Sequence, residues 1–201
     1  MVELLGLVSR LANIIVFFGI YIYRSKIYDW LNKKNTKESF RIKNLLTKAF
    51  KLCKIKYNNL FTSVLLPILL IGLLFIYFHQ TNININPPER NIIDFTNSVI
   101  LSPIFEEILF RGLFLGFLIL FFSNIYFKRF NQKKNKINHF TVNAFSLFTI
   151  SIIFSLLHEG KLDIRYFGGI IFGLVYILDG KNLFPAMLAH FLNNLLVYLI
   201  Y

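Results

Sequence analysis

The sequence predicts an all-α fold, a polytopic membrane bundle of about six transmembrane helices, from three observations. First, 56% of its 201 residues are hydrophobic, where a soluble domain carries about 45–50%. Second, the excess is concentrated in long charge-free runs. Leu60 to Phe78 is 19 residues without a charge, Phe140 to Leu157 is 18, and Leu183 to Tyr201 is 19. As a helix, each can cross a hydrocarbon core of about 30 Å. Third, the basic residues gather between these runs, as in a protein that obeys the positive-inside bias.

The expected spans lie near 4–23, 60–78, 95–122, 140–158, 165–178 and 183–200. The first holds Leu4, Leu5 and the apolar stretch from Leu11 to Tyr23. It is too long for a signal peptide and has no small-residue cleavage site, so it is expected to be retained. The third builds on Gly112 to Phe127, 16 uncharged residues that continue an apolar stretch beginning near Phe95. The fifth is short, with 13 uncharged residues from Tyr166 to Leu178. Its Gly169 and Gly173 form a small-xxx-small pair that lets another helix approach closely.

The net charge of +12 would suggest nucleic acid in a soluble protein. Here it marks topology and anionic lipid instead, and no nucleic-acid partner is expected. Residues 24–58 carry eleven Lys or Arg against Asp29 and Glu38. Within that segment Phe40, Ile42, Leu45, Leu46, Ala49, Phe50 and Leu52 recur at near-helical spacing, predicting an amphipathic helix on an anionic membrane surface. Residues 123–139 carry Lys128, Arg129, Lys133, Lys134 and Lys136 and no acid. Two spans separate these basic segments, so both are expected on the cytoplasmic side, with the loop near 79–94 outside. Cys53 is the single cysteine, which excludes an intrachain disulfide and a CxxC metal pair.

Ionisable groups within membrane spans are costly and are functional candidates by default. Span three contains Glu106, Glu107 and Arg111, span four ends in Phe154-Ser155-Leu156-Leu157-His158, and span six contains His190 and Asn194. Glu107 and Arg111 are four apart, share a helix face and can pair. Glu106 lies about 100° round the helix, leaving its charge available. Phe154 shares a face with His158, and His190 with Asn194. A carboxylate with an imidazole can deprotonate a water and later protonate a leaving amine, and a second imidazole with an amide can donate to a developing oxyanion. Alternatively, Glu106, His158 and His190 could hold a metal, Zn2+ being the ion one carboxylate and two imidazoles suit, with an open fourth position. Ser155 is the lone hydroxyl within these motifs and lies off the His158 face, so a serine nucleophile is not suggested.

Glu106-Glu107-x-x-x-Arg111, Phe154-x-x-x-His158 and His190-x-x-x-Asn194 resemble the three motifs of the CAAX-protease and bacteriocin-processing (CPBP or Abi) family of intramembrane endopeptidases. The context is similar too, with Ser102-Pro103-Ile104-Phe105 before the glutamates and Asn182-Leu183-x-Pro185 before span six. The resemblance covers roughly residues 95–198. It divides the chain into an N-terminal two-span region, 1–94, and a catalytic four-span core, 95–201. It implies that Glu106 activates water with help from His158, that His190 and Asn194 form the oxyanion side, and that Glu107, Arg111 and Phe154 support them. It implies a peptide or protein substrate in or at the membrane, and a role in bacteriocin maturation or self-immunity. Relatives are described both as glutamate-type enzymes and as metalloproteases. The expected location is the bacterial plasma membrane. The competing readings are a non-proteolytic bacteriocin-immunity protein and a small proton-coupled transporter.

Overall fold

The computed structural model describes residues 24–34, 53–80, 91–129, 136–159 and 164–200, together with isolated positions between 8 and 47. The first expected span, 4–23, and the amphipathic helix expected around 40–52 lie largely outside the described residues.

The described residues form an all-α bundle. Helix α1 is Arg24–Lys34. Helix α2 covers 61–80, opening with a π-helical turn, Phe61–Leu65, and continuing as Leu66–Gln80. Helix α3 covers 92–129, α4 is Lys136–Glu159, α5 is Ile164–Leu178 and α6 is Leu183–Ile200. Among the described residues three apolar stretches are long enough to cross a bilayer, Ile92–Tyr126, Asn138–His158 and Leu183–Ile200, with Phe61–Tyr77 and Arg165–Leu178 as shorter apolar helices. Phe117, Leu120, Phe121, Phe145, Phe148 and Ile152 point out of the bundle uncovered. An all-apolar outer face of this kind is at home against lipid tails.

The sequence pattern treats span three as one regular helix, and its winding differs. Ile92–Phe95 is α-helical, Thr96–Leu101 is π-helical, Ser102–Glu107 is α-helical, Ile108–Leu115 is π-helical, and Gly116–Arg129 is α-helical again. The two wide-wound stretches bracket the glutamates. π-Helical winding closes i→i+5 hydrogen bonds, is rare, and is frequently found at functional sites.

The core is built where α3, α4, α5 and α6 meet, from Leu115, Leu147, Ile150, Phe172, Val175 and Leu183 among others. Glycine sets how closely α5 lies on α4. A Cβ added at Gly169 would stand 3.2 Å from the Ser151 Cα, and one at Gly173 would collide with the Leu147 side chain. The small-xxx-small pair is therefore the contact surface of α5. Cys53 is buried in the same core, and a Cβ on Gly112 would lie 2.8 Å from its Sγ.

One end of the bundle is closed by polar contacts. Gly180 and Lys181 both adopt positive φ, 71° and 63°, which turns the chain from α5 into α6. Asp179 at this turn accepts from Ser63 Oγ at 3.1 Å and Asn182 Nδ2 at 2.6 Å, and also from Thr62 Oγ1. Burial alone would raise the Asp179 carboxyl, but hydrogen bonds led by Thr62 and Asn182 outweigh it and hold it below the usual carboxylate range. The segment before α2 joins the same turn: Leu183 donates its N–H to the Lys54 carbonyl at 2.7 Å, and Lys56 donates to Asn182 Oδ1 at 2.8 Å.

Candidate active site

At the opposite end a cavity of about 580 Å³ opens between α2, α3, α4, α5 and α6. Its polar wall comes from α3 and α6, including Asp94, Asn97, Ser98, Asn193 and Asn194. Its apolar wall comes chiefly from Ile71, Leu74 and Phe75 of α2. Glu106, Phe154, His158, His190 and Asn194 all line it.

Glu106 stands at the centre. Its Oε1 accepts from Ser102 Oγ, one turn earlier on the same helix. Its Oε2 faces His158 Nε2 at 3.2 Å and His190 Nε2 at 3.9 Å. Two imidazoles from different helices thus converge on one carboxylate oxygen.

The far nitrogen of each ring fixes its proton. His158 Nδ1 lies 2.7 Å from the Phe154 carbonyl, which can only accept, so Nδ1 carries a hydrogen. In the neutral ring Nε2 is then the lone-pair nitrogen that meets Glu106, and a direct contact of 3.2 Å between two acceptors implies that the two share a proton. His190 Nδ1 lies 2.8 Å from Glu107 Oε1 and donates to it. The His190 ring also stacks on Phe172, with centroids 4.5 Å apart and planes at 16°.

Glu107 and Arg111 lie behind this cluster, both almost wholly buried, at 0% and 1% exposure. They pair at 3.1 Å as their spacing predicts. Arg111 Nη2 donates to the Gly169 carbonyl at 3.1 Å, and its guanidinium lies 4.6 Å from the Phe154 ring centroid and 5.3 Å from that of Phe172. Two nitrogens of Arg111 and Glu107 Oε2 meet no geometrically good hydrogen-bond partner, although Nη1 is within ion-pair distance of Oε1. The pair is therefore held by charge, by one backbone carbonyl and by aromatic faces.

Asn194 donates from Nδ2 to the Ser98 carbonyl at 2.8 Å and accepts from Asn193 Nδ2 at 3.2 Å. The amide is thereby oriented, and one Nδ2 hydrogen is left over for the cavity.

All seven residues singled out from the sequence are thus gathered at one place, five lining the cavity and Glu107 and Arg111 behind them. Sequence reasoning assigned Glu107 only to Arg111 and missed its grip on His190. It also missed Ser102 and Asn193. The available signal was the paired glutamate itself: adjacent carboxylates point about 100° apart and can serve two partners. Among the described residues no group of three or more His, Cys, Asp or Glu side chains is arranged to hold a metal ion.

No curated protein and no solved structure matches the chain. The model of a family described as type II CAAX prenyl endopeptidase Rce1-like matches residues 87–196, more than half of the chain and the whole of the cavity's α3, α4, α5 and α6 lining up to Leu196. A family of intramembrane proteases is thus matched by the segment that assembles the carboxylate and both imidazoles, and the chain belongs to the type II CAAX prenyl endopeptidase Rce1-like family.

Proposed function

We propose that this protein hydrolyses a peptide bond within the membrane, using a water activated by Glu106 and His158. The observation that carries this reading is the convergence of both Nε2 atoms on the Glu106 oxygen not held by Ser102. A water at that oxygen loses its proton to Glu106 as it attacks the scissile carbonyl. The carbonyl oxygen becomes an oxyanion beside His190 Nε2 and the remaining Asn194 hydrogen. For Nε2 to donate, His190 must carry both ring protons, and the Glu107 carboxylate on Nδ1 stabilises that imidazolium. The proton on Glu106 then passes through His158 to the leaving amine. Cleavage products in cell membranes containing the wild-type protein, absent with the Glu106→Gln protein, test the reading; indistinguishable product sets would overturn it.

Zinc would find its donors in Glu106, His158 and His190, and as a Lewis acid it would polarise the scissile carbonyl. The water activation described above needs only Glu106 and His158, and no step is routed through an ion. Cleavage by the purified protein is expected to survive a zinc-selective chelator. Loss of cleavage that added Zn2+ restores would reassign the three side chains as metal ligands.

The cavity end supports an exported peptide as substrate. It gathers the start of α3, the end of α4, the start of α5 and the end of α6, whereas the basic segment 123–139 joins α3 to α4 at the other end. With the basic side cytoplasmic, the site opens outward in the bacterial plasma membrane, where maturation of a bacteriocin or immunity to one would take place. The basic segments would then lie against anionic lipid. In a Cys53→Ser background, Gln80→Cys is expected to react with an impermeant maleimide on intact cells and Lys134→Cys is not. The reverse pattern would invert the bundle and remove the exported-peptide reading.

A further inference from the structure

The docking point of Asn194 on α3 is a backbone carbonyl that the helix itself leaves unused. In the π-helical stretch before the glutamates, Ser102 sends its N–H to the Asn97 carbonyl, five residues back. By the same winding the Ser98 carbonyl should receive the N–H of residue 103. Residue 103 is proline and has no N–H. The Ser98 carbonyl is therefore an acceptor without its helical donor, and Asn194 Nδ2 of α6 reaches it at 2.8 Å.

A second detail agrees. Hydroxyls inside these helices bond back to the carbonyl four residues earlier, as Ser146 does to Val142, Ser151 to Leu147 and Thr149 to Phe145. For Ser102 that carbonyl belongs to Ser98, which is turned toward Asn194 of α6, and the Ser102 hydroxyl bonds forward to Glu106 Oε1.

Resting on the hydrolytic reading above, we infer that Pro103 is a positioning residue of the active site: by removing one N–H it opens the Ser98 carbonyl to Asn194, which fixes α6 against α3 so that the Asn194 amide faces the Glu106 water. Pro103 lies within Ser102–Glu107 and touches no substrate in this scheme. It acts through Asn194. An alanine at 103 supplies an N–H that closes on Ser98 and draws its carbonyl back along the helix axis, turning it away from Asn194.

A merely structural proline gives the opposite sign. Replacing proline inside a helix with alanine ordinarily leaves the helix as stable or more so, with no reason for chemistry to suffer. The test uses four full-length proteins in detergent, wild type, Pro103→Ala, Asn194→Ala and the double variant, assayed on a synthetic peptide spanning a cleavage site that wild-type membranes show and Glu106→Gln membranes lack. Pro103→Ala is expected to lower kcat by about 10–100-fold, as for a displaced positioning contact, with KM held and melting temperature not reduced. On the Asn194→Ala background it is expected to lower kcat no further. Melting supplies a readout independent of turnover. Asn194→Ala, which orphans the Ser98 carbonyl, is expected to lower the melting temperature by about 2–4 °C with Pro103 present and not at all with alanine at 103. Wild-type kcat in Pro103→Ala, or the same melting loss for Asn194→Ala on both backgrounds, would overturn the inference. If Glu106→Gln instead remains active, the hydrolytic reading falls while the melting cycle still decides the Pro103–Asn194 coupling.

Discussion

Glu106→Gln is expected to reduce cleavage by about 10²–10⁴-fold, the contribution of a positioned general base, while leaving the bundle folded. The amide keeps the size of the carboxyl group, and its carbonyl can still accept from Ser102. What it loses is the ability to take a proton from water beside His158 and His190. The loss should therefore fall on kcat, with KM and the detergent melting temperature near wild type. Turnover and melting measured on one preparation separate the outcomes. Retained turnover would remove Glu106 from the mechanism, whereas joint collapse of turnover and melting would make it a structural residue.

Arg111→Leu is expected to have the largest effect on stability, a loss of about 3–5 kcal/mol, because removing one partner of a buried ion pair strands the other charge. Glu107 has no exposure to fall back on, and its remaining partner is His190 Nδ1 at 2.8 Å. The guanidinium also fills the space between Phe154 and Phe172 and ties α3 to the Gly169 carbonyl of α5. Glu107→Gln should cost less, since its amide oxygen can still accept from His190. Glu107→Gln combined with Arg111→Leu should be milder than Arg111→Leu alone, as no unpaired charge remains. Melting of the four proteins gives the coupling directly, and simple additivity would show that the two residues do not act as a pair.

The sequence carried much of this because membrane burial simplifies the signal. Long apolar runs can only be helices when no water is present to satisfy the backbone, which made α3, α4 and α6 legible. The motif residues were legible for the same reason: a charge such as Glu106 or Arg111 inside such a run has to meet a partner. What stayed hidden depends on winding and on contacts distant in sequence. A fixed 100° per residue cannot foresee the π-helical stretches on either side of Ser102–Glu107. Nor can it tell that Glu107 reaches His190, 83 residues on. The contacts of Asp179 with Thr62 and Ser63 were equally opaque, because Asp-Gly-Lys-Asn has the composition of any turn and Asn-Asn-Leu-Phe-Thr-Ser that of any helix start.

The Asp179 clamp also has a mechanical meaning. Thr62 and Ser63 at the beginning of α2 are bonded to it, and the cavity lies beside Ile71, Leu74 and Phe75 further along the same helix. The bundle is thus built like a clothes-peg, with its spring at the Asp179 turn and its jaws at the cavity. Helix α2 is one jaw, hinged at a fixed foot and running about 30 Å from end to end over residues 61–80. A swing of about 10° about that foot would carry Ile71 to Phe75 by roughly 2–3 Å, widening the cavity on its apolar side while the carboxylate and imidazoles on the other helices stay where they are.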